Sequence, residues 1–421
     1  MSYAVVGAGP SGLAAARNLQ RLGLPWQGYE LAPGVGGLWD IDAPRSTVYE
    51  SAHLISSKTT TQFTEFPMAD SVADYPSHRE LAAYFRAFAD RFDLRSGFLF
   101  GTEVTRVEPA PTGGYDVTAV GPDGERTERH DGVLIANGTL SEANVPVIDG
   151  EFAREVMHTS AYKSATVFAG KRVLIVGSGN SGCDIAVDAV HHAAAVDLSV
   201  RRGYHFVPKY VLGRPADTLR PGRRLPARLR QAVDGRLLKL LTGDPVRFGF
   251  PEPDHRIYES HPIVNSLVLH HLGHGDLAVR ADVERFDGHD VVFRDGTRGT
   301  YDVVVLATGY RLHYPVRRPR AAALGGAGGP GPVPQRREPG RARPVRAWHG
   351  RGPRHRLAGA VRAVGDGRGI PAGADREPEG GRRVRGTGPR SAPRSDGRLP
   401  LPGPGAHGVL RQQGCVSPGS P

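Results

Sequence analysis

Two stretches of this chain share one spacing: Gly7-Ala8-Gly9-Pro10-Ser11-Gly12 and Gly177-Ser178-Gly179-Asn180-Ser181-Gly182. A short apolar strand pattern precedes each, Tyr3–Val6 and Val173–Val176. A helical pattern of small and apolar residues follows each, over Leu13–Leu22 and on to about His191. Glycines at the first, third and sixth positions let the backbone turn tightly and approach a pyrophosphate. The phosphate charge then rests on the helix N-terminus. A glycine-rich turn alone is a weak signal, but strand before and helix after make it a dinucleotide site.

The ends of the second strands differ. Trp26–Glu30 closes on Glu30, 18 residues past Gly12, where a carboxylate suits an unphosphorylated ribose. The second unit carries Arg201 and Arg202 about twenty residues past Gly182. A carboxylate there would repel a 2′-phosphate, whereas a guanidinium binds it through a fork of N–H groups. The contrast predicts FAD on the first turn and NADPH on the second, in preference to two NAD-type sites. Gly34, Gly36, Gly37, Leu38 and Trp39 follow the first unit. Their glycines would let the loop lie close to a flavin, with Trp39 packed beside it.

These turns need elements to hold them, and 421 residues are enough for two or three domains. Two cysteines, Cys183 and Cys415, exclude a disulfide framework and a cysteine-rich zinc site. No signal-peptide pattern precedes the first strand and no run of 18 apolar residues exists, so a soluble, cytoplasmic protein is expected. The formal charge of +11 invites a nucleic-acid reading, but it is concentrated at one end. Residues 316–421 hold 21 Arg, no Lys and 6 acidic residues. The remainder has 33 basic and 37 acidic residues, a net of −4, which argues against nucleic acid as a partner.

Further along, the chain resembles the flavin-containing monooxygenases. The resemblance rests on Gly7–Gly12, Glu30, Gly36 to Trp39, Tyr49-Glu50-Ser51 and Ser56-Ser57-Lys58. It continues through Phe66-Pro67, Tyr75-Pro76, Tyr84, Ala136-Asn137-Gly138, the second turn and Ala307-Thr308-Gly309-Tyr310. The family's identifying motif reads Phe152, Arg154 in place of a glycine, His158 and Tyr162. The resemblance implies an FAD- and NADPH-dependent oxygenase. NADPH reduces FAD, O₂ adds to form a flavin hydroperoxide, and one oxygen passes to a small amine or sulfide. Related Baeyer–Villiger enzymes end the motif in tryptophan, so Tyr162 leans towards N- or S-oxygenation. Baeyer–Villiger oxidation, N-hydroxylation and a plain NADPH oxidase remain alternatives, as does an inactive nucleotide-binding product. Isoleucine stands at position 55, where many members have asparagine, and offers no hydrogen bond to a flavin peroxide; either Ser56 or a backbone group substitutes, or the peroxide is shorter-lived, which is what admits the oxidase. His158 reads as a hydrogen-bonded linker histidine rather than a proton carrier, and no catalytic acid–base pair is assigned. His270, His271 and His274 lack a supporting carboxylate or cysteine pattern and read as surface histidines, so no metal is expected.

The expected fold is α/β, two nested Rossmann-like dinucleotide-binding domains. Residues 1–150 form the first part of the FAD domain, 151–300 the inserted NADPH domain and 301–315 the return to the FAD domain. A homodimer is left open. Strands are expected over Thr102–Val107, Tyr115–Val120 and Val133–Ala136, and a hairpin around Asp295-Gly296 leads into a buried strand over Tyr301–Leu306. Residues 213–245 read as surface helix plus loop.

Residues 316–421 contain 23 Gly and 16 Pro in 106 positions, above the roughly 25–30% that marks low-complexity chain. Such a segment cannot bury enough apolar surface to offset its ordering entropy, so it is expected to be disordered. Arginine without lysine, amid Gly, Pro and Ala, is also what a GC-rich gene yields when read out of frame. That reading is preferred, with a shift near residue 315. Val364-Gly365-Asp366-Gly367, which imitates a flavin-binding turn, is then accidental. Resequencing the gene is expected to find a one- or two-base discontinuity near codon 315. A clean frame shared by close relatives overturns this.

Overall fold

A computed structural model describes residues 1–219, 227–257, 259–314 and 316. Its first body is built on a parallel sheet in the order β3-β2-β1-β7, from β1 (Tyr3–Val6), β2 (Trp26–Tyr29), β3 (Phe98–Leu99) and β7 (Gly132–Ile135). Helix α1 (Pro10–Arg21) starts on Pro10, whose fixed φ and missing N–H suit the first helical position. It buries Leu13, Ala14, Ala15, Ala16 and Leu19, mostly residues small enough for close approach to the sheet. It ends where Gly23 turns left-handed (φ +65°) and Leu24 N–H returns to Leu19 O.

After the one-turn α2 (Lys58–Thr61) comes α3 (His78–Arg91). Ser77 Oγ accepts from Glu80 N–H and Glu80 Oε2 accepts from Ser77 N–H, a reciprocal N-terminal cap. The buried face of α3 packs Leu81, Tyr84, Phe85 and Phe88 around Phe63, whose ring centroid lies 4.1 Å from that of Phe88. Burial of each such side chain contributes about 1.5–3 kcal/mol before entropy is counted. An antiparallel meander, β4 (Glu103–Pro109), β5 (Tyr115–Gly121) and β6 (Gly124–His130), covers the other face of the sheet. The third strand of this meander is absent from the sequence reading. Its residues 125–129 are all polar, so no apolar alternation marks it; it is an exposed edge.

The second body has a five-stranded, wholly parallel sheet in the order β14-β11-β10-β18-β9. Its strands are β9 (Glu155–His158), β10 (Arg172–Val176), β11 (Ala195–Ser199), β14 (Ala278–Arg280) and β18 (Val303–Leu306). The central strands read as unbroken apolar runs because structure covers both faces. Helix α4 (Asn180–Val190) follows β10, and α5 (Ala227–Thr242) and α6 (Leu267–His274) come later. The hairpin β12 (Tyr210–Val211)–β13 (Arg214–Pro215) and a meander of β15 (Val283–Asp287), β16 (Asp290–Phe293) and β17 (Arg298–Thr300) complete it.

One expected boundary moves. The sequence suggests a return to the first body at residue 301, but β18 lies inside the second sheet, between β10 and β9. A run of four apolar residues suits an interior strand of either sheet, and only pairing decides which. The chain crosses back after Leu306. There β19 (Tyr310–Arg311) pairs with β8 (Glu142–Ala143), and Val316, buried, accepts from Val107 N–H in the first body. The expected low-complexity tail lies outside the described residues apart from Val316, as do 220–226 of the arginine- and leucine-rich stretch.

Candidate functional site

Both glycine turns are folded against backbone with no room for a side chain. Gly7 takes φ +102°, and a Cβ there would lie 2.5 Å from Ala136 O. A Cβ on Gly12 would lie 1.8 Å from Gly7 O. The second turn repeats this: Gly177 at φ +106°, 2.6 Å from Ala307 O, and Gly182, 1.9 Å from Gly177 O. In each, the first glycine donates to the last residue of the neighbouring strand: Gly7 to Tyr29 O at 2.8 Å, Gly177 to Ser199 O at 2.9 Å.

Each helix begins on a bare glycine cap, Gly9 or Gly179, with no side-chain cap and no acidic residue in its first turn. The leading N–H groups and the positive end of the helix dipole are thus left for an anion. Around Gly179 nothing lies within 4 Å of where a Cβ would be, a cradle open to a close-approaching group. Beside it the buried Ser178 Oγ has no partner among the described residues. Both features fit a bound pyrophosphate.

Glu30 is at the mouth of the first turn. Its Oε2 accepts from Ala8 N–H at 2.5 Å and its Oε1 from Ala32 N–H at 2.8 Å. Burial raises its carboxyl above the ordinary range, against the pull of those amides. Ala8 O in turn accepts from Gly36 N–H at 3.1 Å, so the Gly36-Gly37 loop is clasped to the turn. Gly37 (φ +59°) approaches so closely that a Cβ on it would meet Gly9 Cα at 2.8 Å. Leu38 packs against the core of the second body and Trp39 against the cores of both. Pro10 and Ser11 sit at the helix start, Ser11 exposed.

The second strand end needs a correction. In the ladders Tyr29 pairs with Val6 and Ser199 with Val176, so the counterpart of Glu30 is Val200, not Arg201. Val200 is buried and donates to Arg280 O. Arg201 and Arg202 follow, both exposed, one and two residues further out. Arg202 Nε donates to Tyr204 Oη at 3.1 Å and its guanidinium sits 5.1 Å from that ring. Arg201 has no partner among the described residues. Equal spacing gives the same answer, since Glu30 lies 18 residues past Gly12 and Val200 lies 18 past Gly182.

Asn180 and Ser181 contribute differently from expectation. The Asn180 amide holds the segment opposite it, donating to Pro262 O and accepting from Val264 N–H at 2.8 Å. Ser181 is half-buried in the first turn of α4. Tyr49 belongs to a network that ties the two bodies together. Its hydroxyl donates to Asp184 Oδ2 at 3.1 Å, and Asn265 Nδ2 donates to Asp184 Oδ1 at 2.6 Å. Burial raises the Asp184 carboxyl. Ser51 and Tyr162 both donate to Asp188 Oδ2, Tyr162 at 2.9 Å. Lys163 Nζ donates to Ser46 O and Val48 O.

Asp217 joins the site from outside any sequence motif. It accepts from Ser57 N–H at 2.7 Å and from Thr60 Oγ1 at 2.6 Å, pinning the 205–219 segment onto α2. Tyr75 donates to Lys209 O, and Tyr210 to Asp74 Oδ2 at 3.2 Å. No local motif marks Asp217, because its partners lie more than 150 residues away. Ile55 is half-buried, and the neighbouring Ser56 hydroxyl is engaged with Thr61 Oγ1 at 2.8 Å. His158 is a linker residue in the structure. Burial lowers its pKa and keeps the ring neutral, with Nδ1 accepting from Ser160 N–H and Nε2–H donating to Gly309 O at 3.0 Å. It thereby joins the outgoing linker to the returning one. Arg154, which stands in the motif where a glycine is usual, is exposed and pairs with Asp302 at 2.6 Å.

Residues 2–319 match the family model described as flavin-binding monooxygenase-like. The chain is 32% identical to the probable indole-3-pyruvate monooxygenase YUCCA9 of Arabidopsis thaliana, over 74% of this chain and 75% of that protein. It is also 32% identical to flavin-containing monooxygenase 5 of Mus musculus, over 74% of this chain and 62% of that protein. The solved flavin-containing monooxygenase from Stenotrophomonas maltophilia superposes with a TM-score of 0.56 at 26% identity. That match covers 75% of this chain and 80% of the other. The chain thus spans between about three-fifths and three-quarters of the relatives it matches, and the family match ends within a few residues of the change in composition.

Two outcomes follow from this geometry. Gly182→Ala must push Gly177 O aside, and is expected to abolish dinucleotide binding to the second turn while flavin binding survives. Equilibrium binding of NADPH and flavin absorbance measure the two separately. Asp184→Asn turns an amide N–H₂ towards one of two donors, and is expected to cost about 1–3 kcal/mol of stability. Tyr49→Phe should cost less in this variant than in the wild type, which a double-mutant denaturation cycle reads directly.

Proposed function

The chain belongs to the flavin-binding monooxygenase-like family, and from that premise we propose that it is an NADPH- and O₂-dependent monooxygenase acting on a small amine or sulfide. The observation that carries the reading is the pair of unlike strand ends. A carboxylate is clasped to the first glycine turn, and two exposed guanidinium groups lie beyond the second.

In this reading Gly7, Gly9, Pro10, Ser11, Gly12 and Glu30 hold FAD, with Gly36, Gly37, Leu38 and Trp39 lying against it. Gly177, Ser178, Gly179, Asn180, Ser181 and Gly182 hold the pyrophosphate of NADPH, and Arg201 and Arg202 its 2′-phosphate. When bound, the flavin supplies hydride acceptance and oxygen activation. The protein's part is binding, orientation and exclusion of water. The bare N-termini of α1 and α4 neutralise phosphate charge. The Tyr49–Asp184–Asn265 and Tyr162–Asp188 hydrogen bonds hold the two turns in one mutual arrangement. Burial, then Asp188, push the Tyr162 phenol up, so it remains a donor at any working pH. The neutral His158 is bonded on both nitrogens and acts as a linker clamp.

N- or S-oxygenation is favoured over Baeyer–Villiger chemistry by tyrosine at position 162. A chain that binds NADPH without retaining flavin is the second reading, favoured by its spanning only part of its relatives' length. A purified sample lacking flavin absorbance supports the second reading. A yellow sample bleached anaerobically by NADPH, which on admission of air oxygenates an aryl methyl sulfide but not cyclohexanone, supports the first.

Arg201→Glu is expected to raise KM for NADPH by about 10- to 100-fold, as a charge-assisted bond is replaced by repulsion, with KM for NADH changing by less than about threefold. Equal losses for both coenzymes overturn the 2′-phosphate role.

A further inference from the structure

In the histidine run near residue 270, Asp276 stands one residue beyond the His274-Gly275 step, and the fold brings its carboxylate back to both His271 and His274. Helix α6 stops at His274, Gly275 takes φ +81°, and Asp276 N–H returns to His271 O at 3.0 Å. That turn swings the Asp276 carboxylate back over the last turn of the helix. His271 Nδ1 lies 2.8 Å from Asp276 Oδ2 and His274 Nδ1 lies 3.8 Å from it. One ligand atom from each of the three residues falls within 4.8 Å of the others.

We infer that His271, His274 and Asp276 bind one divalent transition-metal ion of the zinc–cobalt–nickel class. Two imidazole nitrogens and a carboxylate oxygen form the borderline donor set these ions prefer. A tetrahedral ion with bonds of about 2.0–2.1 Å sets its ligands about 3.4 Å apart. The present separations of 2.8 and 3.8 Å straddle that value, so side-chain rotation completes the site. His271 is half-buried and lies edge-on to His191, with ring centroids 5.4 Å apart, which limits how far it can swing. His270 is not part of the group, and water takes the remaining coordination.

The location separates this site from the dinucleotide chemistry. His191 caps the C-terminal end of α4, eleven residues from the helix's first residue, Asn180, or about 16 Å along the helix axis. The ion therefore stabilises the end of α6 and leaves cofactor binding untouched. Binding to the native state alone raises the melting temperature by mass action.

The test uses the full chain without a histidine tag, stripped with a chelator. It is titrated with Co²⁺, read by visible absorption, and with Zn²⁺, read by calorimetry and melting temperature. The wild type is expected to bind one ion more than His274→Ala, or to bind it about tenfold or more tightly. The melting temperature should rise with Zn²⁺ in the wild type only, with KM for NADPH unchanged. Asp276→Asn should behave as His274→Ala does. His274 is exposed, so its substitution carries the test even where Asp276→Asn fails to fold. Metal binding identical in wild type and His274→Ala, or none in the wild type, overturns the inference.

Discussion

The absence of a side chain at four backbone positions governs this molecule. Where Gly12 meets Gly7 O, and Gly182 meets Gly177 O, the gap that a Cβ would occupy is already filled by a carbonyl. That contact sets the angle at which a helix leaves a strand, and so aims a row of unpaired N–H groups at one point in space. A larger residue would open the turn, tilt the helix and scatter those donors. The second contact of each turn is with the crossing strand: Ala136 beside Gly7 and Ala307 beside Gly177. Turn, helix and sheet are therefore one rigid unit in each body, and the anion site is a by-product of how tightly they close.

The two units are held together by apolar packing of Leu38, Trp39, Val48 and Ala52 on the second core, and their mutual orientation is specified by polar contacts. Asp184 and Asp188 project from α4 and collect hydroxyl donors from the first body and the linker. A partly buried carboxylate is costly unless its lone pairs are met by donors in good geometry. Here each donor is itself fixed: Tyr49 and Tyr162 lie against one another at 5.5 Å, and Tyr162 stacks on Phe168 at 5.3 Å. Such a network discriminates between relative orientations of the bodies far more sharply than a greasy face, because a small slide leaves several groups unpaired at once. At the linkers the same logic holds, with His158 on Gly309 O, Asn144 on Thr308 O and Asn137 on His313 O. A chemistry that requires two coenzymes to meet gains from a hinge whose bonds run in both crossing strands.

Much of this was readable in the chain. Both strand–turn–helix units, the buried runs at Val173–Val176 and Tyr301–Leu306 (the latter a strand over Val303–Leu306), and the hairpin around Asp295-Gly296 follow from local periodicity and turn chemistry. What escaped has a common cause. Strand β6 carries no apolar alternation because both of its faces are largely wet. The allegiance of β18 is a matter of which sheet it pairs with, not of its composition. Asp217 works only through residues that α2 supplies from far away in sequence.

The sequence by itself determined the local chemistry: two glycine turns, an acid near one, two guanidinium groups near the other, because turn geometry and charge sign are properties of neighbouring residues. The tertiary structure decided their exchange of partners. It drew Asp184 against Tyr49, laid Asp217 across Ser57 and Thr60, and seated β18 between β10 and β9. Those are outcomes of strand pairing and of packing between segments that no spacing rule along the chain can bring together.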